Sequence, residues 1–301
     1  PRGAGTSLAG QAVGHALIID CSRYLDHIVD INSQTRTAIV EPGAVLAALN
    51  LAAAQQGLMF GPDPASAERA TMGGVIGNNA TGAHSILYGM SADHLLSADV
   101  ILSDGSLAIW GEITDEERRK RKDDGSMHGA VIAAALEIRK KYAYAIKEKF
   151  PRSWRNSAGY RINYLLPFSP TQPPQWIGTY PSIHPSSFSL HPLLAGSEGT
   201  LAVIRNMKVN LVPKPKHTIL GILAYDSIVE ACDDVPRLLS HQPSAVELVP
   251  QMILRLARSV PAYARQMDWL SGDPAAVLVV EFSGDNPDIL LEKIQVVRSN
   301  V

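Results

Sequence analysis

The sequence predicts an α+β protein built as two successive units, and three observations lead there. Short, β-branched apolar runs alternate with stretches of helical periodicity. The linker Pro213-Lys214-Pro215-Lys216 separates two such series. Three loops rich in glycine and hydroxyl side chains each lie beside a strand-like run. At 301 residues the chain can hold two cores, since a single core usually stops growing near ~250–300 residues.

The elements follow in order. Residues 16–20 (ALIID) and 37–41 (TAIVE) read as strands, and Pro42-Gly43 turns the chain. Val45, Leu46, Leu49, Ala52 and Ala53 recur at helical spacing, with Gly57 as the stop. Residues 96–102 alternate as a strand closed by the hairpin turn Ser103-Asp104-Gly105. Residues 112–186 read as an insertion. Its charge run, 115–124, is a solvated face, and 128–149 keep helical periodicity through Ile132, Leu136, Tyr142 and Ile146. Residues 167–187 hold six prolines and read as a surface loop. Beyond the linker, 218–225, 245–249 and 276–282 read as strands, with helices over 227–240, 250–258 and from about 286. The domains expected are therefore 1–216 and 217–301. The chain opens on Pro1-Arg2-Gly3 and ends in the helix-like ILLEKIQVVRSNV, so it reads as a piece of a longer protein.

Composition narrows the function. The net charge of −2 and a pI near 6.6 argue against a general nucleic-acid or anionic-membrane binder, which needs a basic surplus. No apolar run approaches the ~18–20 residues that span a bilayer. Cys21 and Cys232 form no CxxC pair, so no disulfide framework, zinc site or iron–sulfur site is written here. A cytoplasmic, reducing location is expected.

Chemistry concentrates in the three loops. PRGAGTSLAGQAVG (1–14) has four glycines and two hydroxyls, with no acidic residue before Asp20. Its successive amides can turn inward as a nest suited to a pyrophosphate. It is neither a Walker loop nor GxGxxG, and as a bare pattern a simple turn fits equally well. In PDPASAERATMGGVIGNNATGAHSILYG (62–89), no charged residue stands between Thr71 and Ser85. Small residues and amide groups there suit a backbone pressed against a large flat ligand, or a tight packing turn. LLAGSEGTLAVI (193–204) places Gly196-Ser197-Glu198-Gly199-Thr200 just ahead of a strand. Together the loops suggest one elongated ligand with a phosphate end and a planar end.

These three loops, in this order, resemble the flavin-binding (PCMH-type) domain of the vanillyl-alcohol oxidase / para-cresol methylhydroxylase superfamily. Within it the likeness is to the glycolate oxidase and D-lactate or D-2-hydroxyglutarate dehydrogenase branch, over roughly residues 1–250. NSAGYRINYLL (156–166), after the long insertion, is similar to the large bacterial members fused to an iron–sulfur module. The resemblance implies two α/β subdomains cradling FAD and the start of a ferredoxin-like α/β cap. Arg2, Gly3, Ala4, Gly5, Thr6 and Ser7 would hold the pyrophosphate. Ser66, Thr71, Gly73, Gly74, Gly77, Asn78, Ala80 and Gly82 would line the flavin, with Glu198, Gly199 and Ile204 near its edge or the adenosine. Positions 3–7 hold no histidine, so non-covalent FAD is expected, and Ala202 replaces a frequent glycine. The family's metal-binding HxGDGNxH stretch is not in this sequence, nor are the basic residues that hold a substrate carboxylate. Any divalent metal or iron–sulfur cluster would therefore lie in other parts of the protein, as would the first βα segment.

The activity implied is FAD-dependent dehydrogenation of a D-2-hydroxy acid such as lactate, glycolate or 2-hydroxyglutarate. The substrate's α-hydrogen would leave as hydride and its hydroxyl proton would go to a base. Electrons would pass to an iron–sulfur domain or subunit, or to a quinone; a homodimer and a peripheral place at the inner membrane are compatible with this. Tyr160, Arg161 and His84 are the candidates for contact with flavin or substrate, each with a packing role as the alternative. His184 and His191 lack a carboxylate cluster, so no metal site is expected, and Trp110, Trp154, Trp176 and Trp269 are read as packing. Two rival readings remain: a flavin-dependent reductase of the enolpyruvyl-sugar type using NADPH, and a flavin-binding electron relay without turnover.

Overall fold

The structure is a computed structural model and describes residues 1–121, 124–151, 153, 155–166 and 188–299. The chain divides into two compact units, Pro1–Lys214 and Pro215–Val301. The expected proline-rich loop at 167–187, with Trp176 and His184, lies outside the described residues, as does Trp154.

The first unit runs β1 (Ile28–Asn32), β2 (Thr37–Val40), α1 (Leu46–Ala54), β3 (Leu58–Met59), α2 (Met72–Gly77), α3 (Ser85–Tyr88) and α4 (Ser91–His94). It continues through β4 (Leu95–Ile101), β5 (Leu107–Trp110), α5 (Asp115–Arg121), α6 (Met127–Lys141), α7 (Ala143–Lys149), β6 (Val203–Asn210) and β7 (Val212–Pro213). Five strands form one antiparallel sheet in the order β1-β2-β6-β4-β5. Its inner face explains the pattern read along the chain: Ala38, Val40, Val100 and Val209 are fully buried or nearly so and pack with Leu46 and Leu49 of α1. Each such leucine contributes roughly 1.5–3 kcal/mol by leaving water. The β4–β5 hairpin turns through Gly105 in a left-handed conformation (φ 82°), which Ser103-Asp104-Gly105 anticipated.

Two readings are corrected. Residues 16–20 form no strand: only Asp20 bridges, to Arg2, and Leu17 and Ile18 are 91% and 50% exposed. Among the described residues this apolar run has no neighbouring strand to share a ladder, and apolar content alone does not make a sheet. The strand that pairs with β2 is instead β1, IVDIN, which the sequence reading passed over. Trp269 is 48% exposed and so is not a core residue, whereas Trp110 is buried as expected.

In the insertion, α5 buries nothing, in keeping with a solvated charge run. α6 starts where the Ser126 hydroxyl accepts from the Gly129 amide at 3.0 Å, and it buries Ile132 and Ala135. Its basic last turn, Arg139-Lys140-Lys141, suits the negative end of the helix dipole. The helix breaks at Tyr142 before α7, so the periodic stretch 128–149 is two helices. The foot of the insertion is pinned by a buried polar cluster. The Tyr164 hydroxyl donates to Asp93 Oδ1 at 2.5 Å, and Asp93 Oδ2 accepts from the Met90 amide at 2.8 Å. Arg161 is fully buried between the rings of Phe150 and Tyr164, each centroid 5.3 Å away, and donates to the Asn156 carbonyl.

The second unit comprises β8 (His217–Tyr225), α8 (Ile228–Leu239), β9 (Ala245–Pro250), α9 (Gln251–Ser259), α10 (Pro261–Ala264), β10 (Ala276–Gly284) and α11 (Pro287–Ser299). Its antiparallel sheet has the order β8-β10-β9. α8 and α11 cover one face through Ala231, Leu238, Leu290 and Val297, against Leu278, Val280 and Phe282 of β10. β10 is central and reads as a continuous apolar run for that reason. The Ser227 hydroxyl caps α8 from the Glu230 amide, at 3.1 Å.

Two expectations follow. Removing the Tyr164 hydroxyl (Tyr164→Phe) strands a buried carboxylate and should cost about 2 kcal/mol in urea unfolding, as hydrogen bonds to charged groups do. Burial also pushes His191 down to about 4, so the native state stays neutral where the unfolded chain takes up a proton. The folded state then loses stability as pH falls from about 6.5 towards 4, by about 2 kcal/mol at pH 5. His191→Leu should flatten that part of the stability profile; an unchanged slope would refute the assignment.

Candidate functional site

The three loops meet in the first unit around one cleft, which encloses about 1110 Å³ including its open mouth. The first loop is fastened at its start, where the Arg2 amide donates to the Ile19 carbonyl at 2.8 Å and the Cys21 amide to the Arg2 carbonyl at 2.9 Å. None of the amides of residues 3–7 donates to a backbone carbonyl of the described residues. The second loop is anchored through the first turn of α2. The Met72 amide donates to the Ala44 carbonyl and that of Gly73 to the Pro42 carbonyl, both at 2.8 Å. The third loop is joined to the second by the Glu198 amide on the Gly77 carbonyl at 3.0 Å, and by Asn78 Nδ2 on Glu198 Oε1 at 2.8 Å.

Two glycines show why the pattern needs missing side chains. A Cβ on Gly3 would lie 2.0 Å from Thr71 Oγ1, so the first loop closes on the second only because that atom is absent. A Cβ on Gly74 would meet nothing nearer than Thr71 Oγ1 at 3.7 Å, so a side chain there would project into the cleft. Thr71 Oγ1 is itself buried and has no hydrogen-bond partner among the described residues. A buried polar atom without a partner is costly in a folded chain, and a ligand filling the cleft would satisfy it.

The charges are few. Among the described residues, Arg2 and Glu198 are the charged side chains on the cleft wall. Arg2 lies 3.8 Å from Asp20, whose carboxyl is held below its usual range first by the Ser22 hydroxyl and amide and more weakly by Arg2. Burial pushes the Cys21 thiol up, so this cleft residue is a neutral wall rather than a nucleophile.

Residues 2–7, Ser66, Thr71, Gly73, Gly74, Gly77, Asn78, Ala80, Glu198, Gly199 and Ile204 all border the cleft. Gly82 does not: a Cβ there would sit 1.8 Å from the Asp63 carbonyl oxygen, so its role is close packing of two backbones. The three catalytic candidates also lie off the cleft wall. His84 pairs with Asp63, Nδ1 to Oδ2 at 3.2 Å, and Arg161 is the buried cation described above. Tyr160 is half-exposed and its hydroxyl shares a hydrogen bond with Thr200 at 2.9 Å, bracing the third loop. Gln11, Ala12, Cys21, Pro42, Ala70, Val75, Ser197 and Ala202 line the cleft without having been singled out as contacts. Cys21 and Pro42 arrive by tertiary packing and carry no local pattern, whereas Ser197 stands inside the third loop. His191 bonds the backbone at Gly111. Asp26, His27 and Glu41 bring three ligand atoms within 4.8 Å, but on the surface and off the cleft wall.

Comparison with known proteins accords with this geometry. Residues 1–110 match the FAD binding domain, and residues 214–301 match the FAD linked oxidases, C-terminal domain. The chain is 30% identical over 299 residues to the D-2-hydroxyglutarate dehydrogenase of Pseudomonas putida, covering 98% of this chain and 28% of that protein. It is 25% identical over 307 residues to the glycolate oxidase subunit GlcD of Bacillus subtilis, covering 99% of this chain and 49% of that protein. It thus spans under a third of the first relative and about half of the second. Two solved structures of alkyldihydroxyacetonephosphate synthase share the fold, with TM-scores of 0.60 and 0.61 over 99% of this chain and 46% and 44% of theirs, at 14% and 15% identity. With both matches in this order on one chain, and with a cleft built from glycine loops in the first unit, the chain carries an FAD binding domain followed by a C-terminal domain of the FAD-linked oxidase type, on a PCMH-type FAD oxidase fold.

Proposed function

We propose that the protein is an FAD-dependent dehydrogenase of a D-2-hydroxy acid, of the lactate, glycolate or 2-hydroxyglutarate class, with FAD held non-covalently in the cleft of the first unit. The observation that carries this reading is the unpartnered, buried Thr71 hydroxyl facing a cleft walled by glycine backbone. The names of the relatives and the match to the oxidases' C-terminal domain support the substrate class. That C-terminal match also favours this reading over the enolpyruvyl-sugar reductase.

When bound, FAD supplies the acceptor for a hydride from the substrate's α-carbon. The chain's own part is binding and orientation. Residues 3–7 offer amides to a diphosphate, with Arg2 contributing positive charge at the same end. Gly74 and Gly77 leave room for a flat ring to lie against α2, and Thr71 offers its hydroxyl. Glu198, in a left-handed conformation (φ 51°), spends its carboxylate on Asn78 and so holds the second and third loops at a set spacing. Among the described residues no histidine stands on the cleft wall and the Glu198 carboxylate there is engaged by Asn78, so the base that takes the substrate proton is to be sought on other residues. Electrons would leave to an iron–sulfur domain or subunit, or to a quinone.

Three measurements test this. Anaerobic addition of D-lactate, glycolate or D-2-hydroxyglutarate to the full-length protein should bleach the visible flavin band; bleaching by NADPH instead would support the reductase. Acid precipitation should release the flavin to the supernatant, and yellow colour left in the pellet would refute non-covalent binding. Gly74→Leu should weaken FAD binding by about 100-fold or more while the apoprotein melts within a few degrees of the parent, because the side chain occupies ligand volume rather than core. Unaltered affinity in that variant would misplace the flavin.

A further inference from the structure

The near-zero net charge conceals an uneven distribution. Residues 139–155, RKKYAYAIKEKFPRSWR, hold seven cations against one carboxylate, a local charge of +6. The other 284 residues therefore carry −8 of the total of −2. The neighbouring charge run behaves differently: residues 115–124 hold five acids and five bases and cancel within themselves. Lys140 and Lys141 in the last turn of α6 and Lys147 and Lys149 in α7 bring part of this excess to the corner where α6 breaks into α7, whereas Arg155 turns to the Thr81 hydroxyl. Lys140, Lys141, Lys147 and Lys149 are all exposed there. Two large aromatic side chains stand among them, Tyr142 at 47% and Tyr144 at 78% exposure, with Lys141 Nζ 5.3 Å from the Tyr142 ring centroid. Nothing in the fold requires these two rings to face water. The buried side of the corner is supplied by Ile146, and Phe150 is committed to Arg161.

From this arrangement we infer that the α6–α7 corner docks the protein on an anionic lipid bilayer. Clustered lysines are drawn to the negative surface of a membrane leaflet, each adding to the attraction within a Debye length. Lysine stems can lie along the interface with their ammonium groups in water. Exposed tyrosine rings prefer the headgroup level, where one end of the ring is apolar and the other wet. The combination supplies the two signals, charge and partial insertion, that reversible surface attachment needs. An acidic protein would be served by the lysines alone, so the interleaved tyrosines favour lipid. No helix among the described residues is long and apolar enough to cross a membrane, so the attachment is peripheral.

Co-sedimentation of the full-length protein with vesicles tests this independently of the flavin site. It should pellet with vesicles of equal parts phosphatidylcholine and phosphatidylglycerol and not with phosphatidylcholine alone. It should be released on going from about 0.1 M to about 1 M salt, where the Debye length shrinks from about 10 Å to about 3 Å. K140E/K141E/K149E should weaken binding by about 100-fold and Y142S/Y144S by several-fold, with flavin content retained and the melting temperature lowered by no more than a few degrees, the loss expected from reversing charge at the α6 C-terminus. K214E/K216E, two exposed lysines elsewhere, should leave it within about twofold. Absence of pelleting by the parent protein, equal pelleting with neutral vesicles, or full binding by the α6–α7 charge reversal would each overturn the proposal. So would tight retention on an RNA homopolymer or an acidic protein resin without vesicle binding.

Discussion

The seam between the second and third loops is the junction on which the cleft depends. Two backbone bonds, Gly196 to the Ile76 carbonyl and Glu198 to the Gly77 carbonyl, bring segments more than a hundred residues apart to one wall. Asn78 reinforces the seam through the Glu198 carboxylate. Because the bonds run from main chain to main chain, the wall can be stripped of side chains and still hold its shape. That combination is what a flat ligand with a diphosphate tail needs: close approach to backbone on one side, amide donors on the other.

Rigidity around this seam comes from packing that tolerates no added atom. Gly82 presses on the Asp63 carbonyl, and Gly3 closes on Thr71. Asn79 takes a left-handed conformation (φ 51°) inside the core, its side-chain oxygen accepting from the Ala92 amide and its nitrogen reaching the Asn156 carbonyl. Asn156 in turn accepts from Arg161, so the foot of the insertion and the flavin loop share one buried polar cluster. The insertion thereby braces the site from behind, while its far corner is left basic and aromatic. A single inserted segment thus combines a supporting role with a surface of its own.

Legibility in the sequence followed the physics of each feature. The strands β4 and β10 and the helices α1 and α8 were readable because burial imposes a period on apolar residues. The 16–20 run carried the same apolar signal and forms no strand, since a ladder needs a partner that composition cannot report. β1 was missed because only Ile28 and Ile31 of its five residues are even partly buried. The glycine loops stood out through what they lack, charge and bulk. Gly82, the one glycine named as a flavin contact that does not reach the cleft, has the same composition signal as those that do.

What the chain alone determined was the class of chemistry. One run without charge, dense in glycine and hydroxyls, suits a simple turn as well as a backbone-bound cofactor; it was the recurrence of such runs in three separate loops that pointed to one elongated ligand. Only tertiary structure decided which candidates share a wall. It took Tyr160, Arg161 and His84 into bracing and packing roles and brought Cys21 and Pro42 to the cleft. The reason is that composition sets which contacts a residue can afford, whereas the direction a side chain faces is fixed by distant strands and helices that no local pattern encodes.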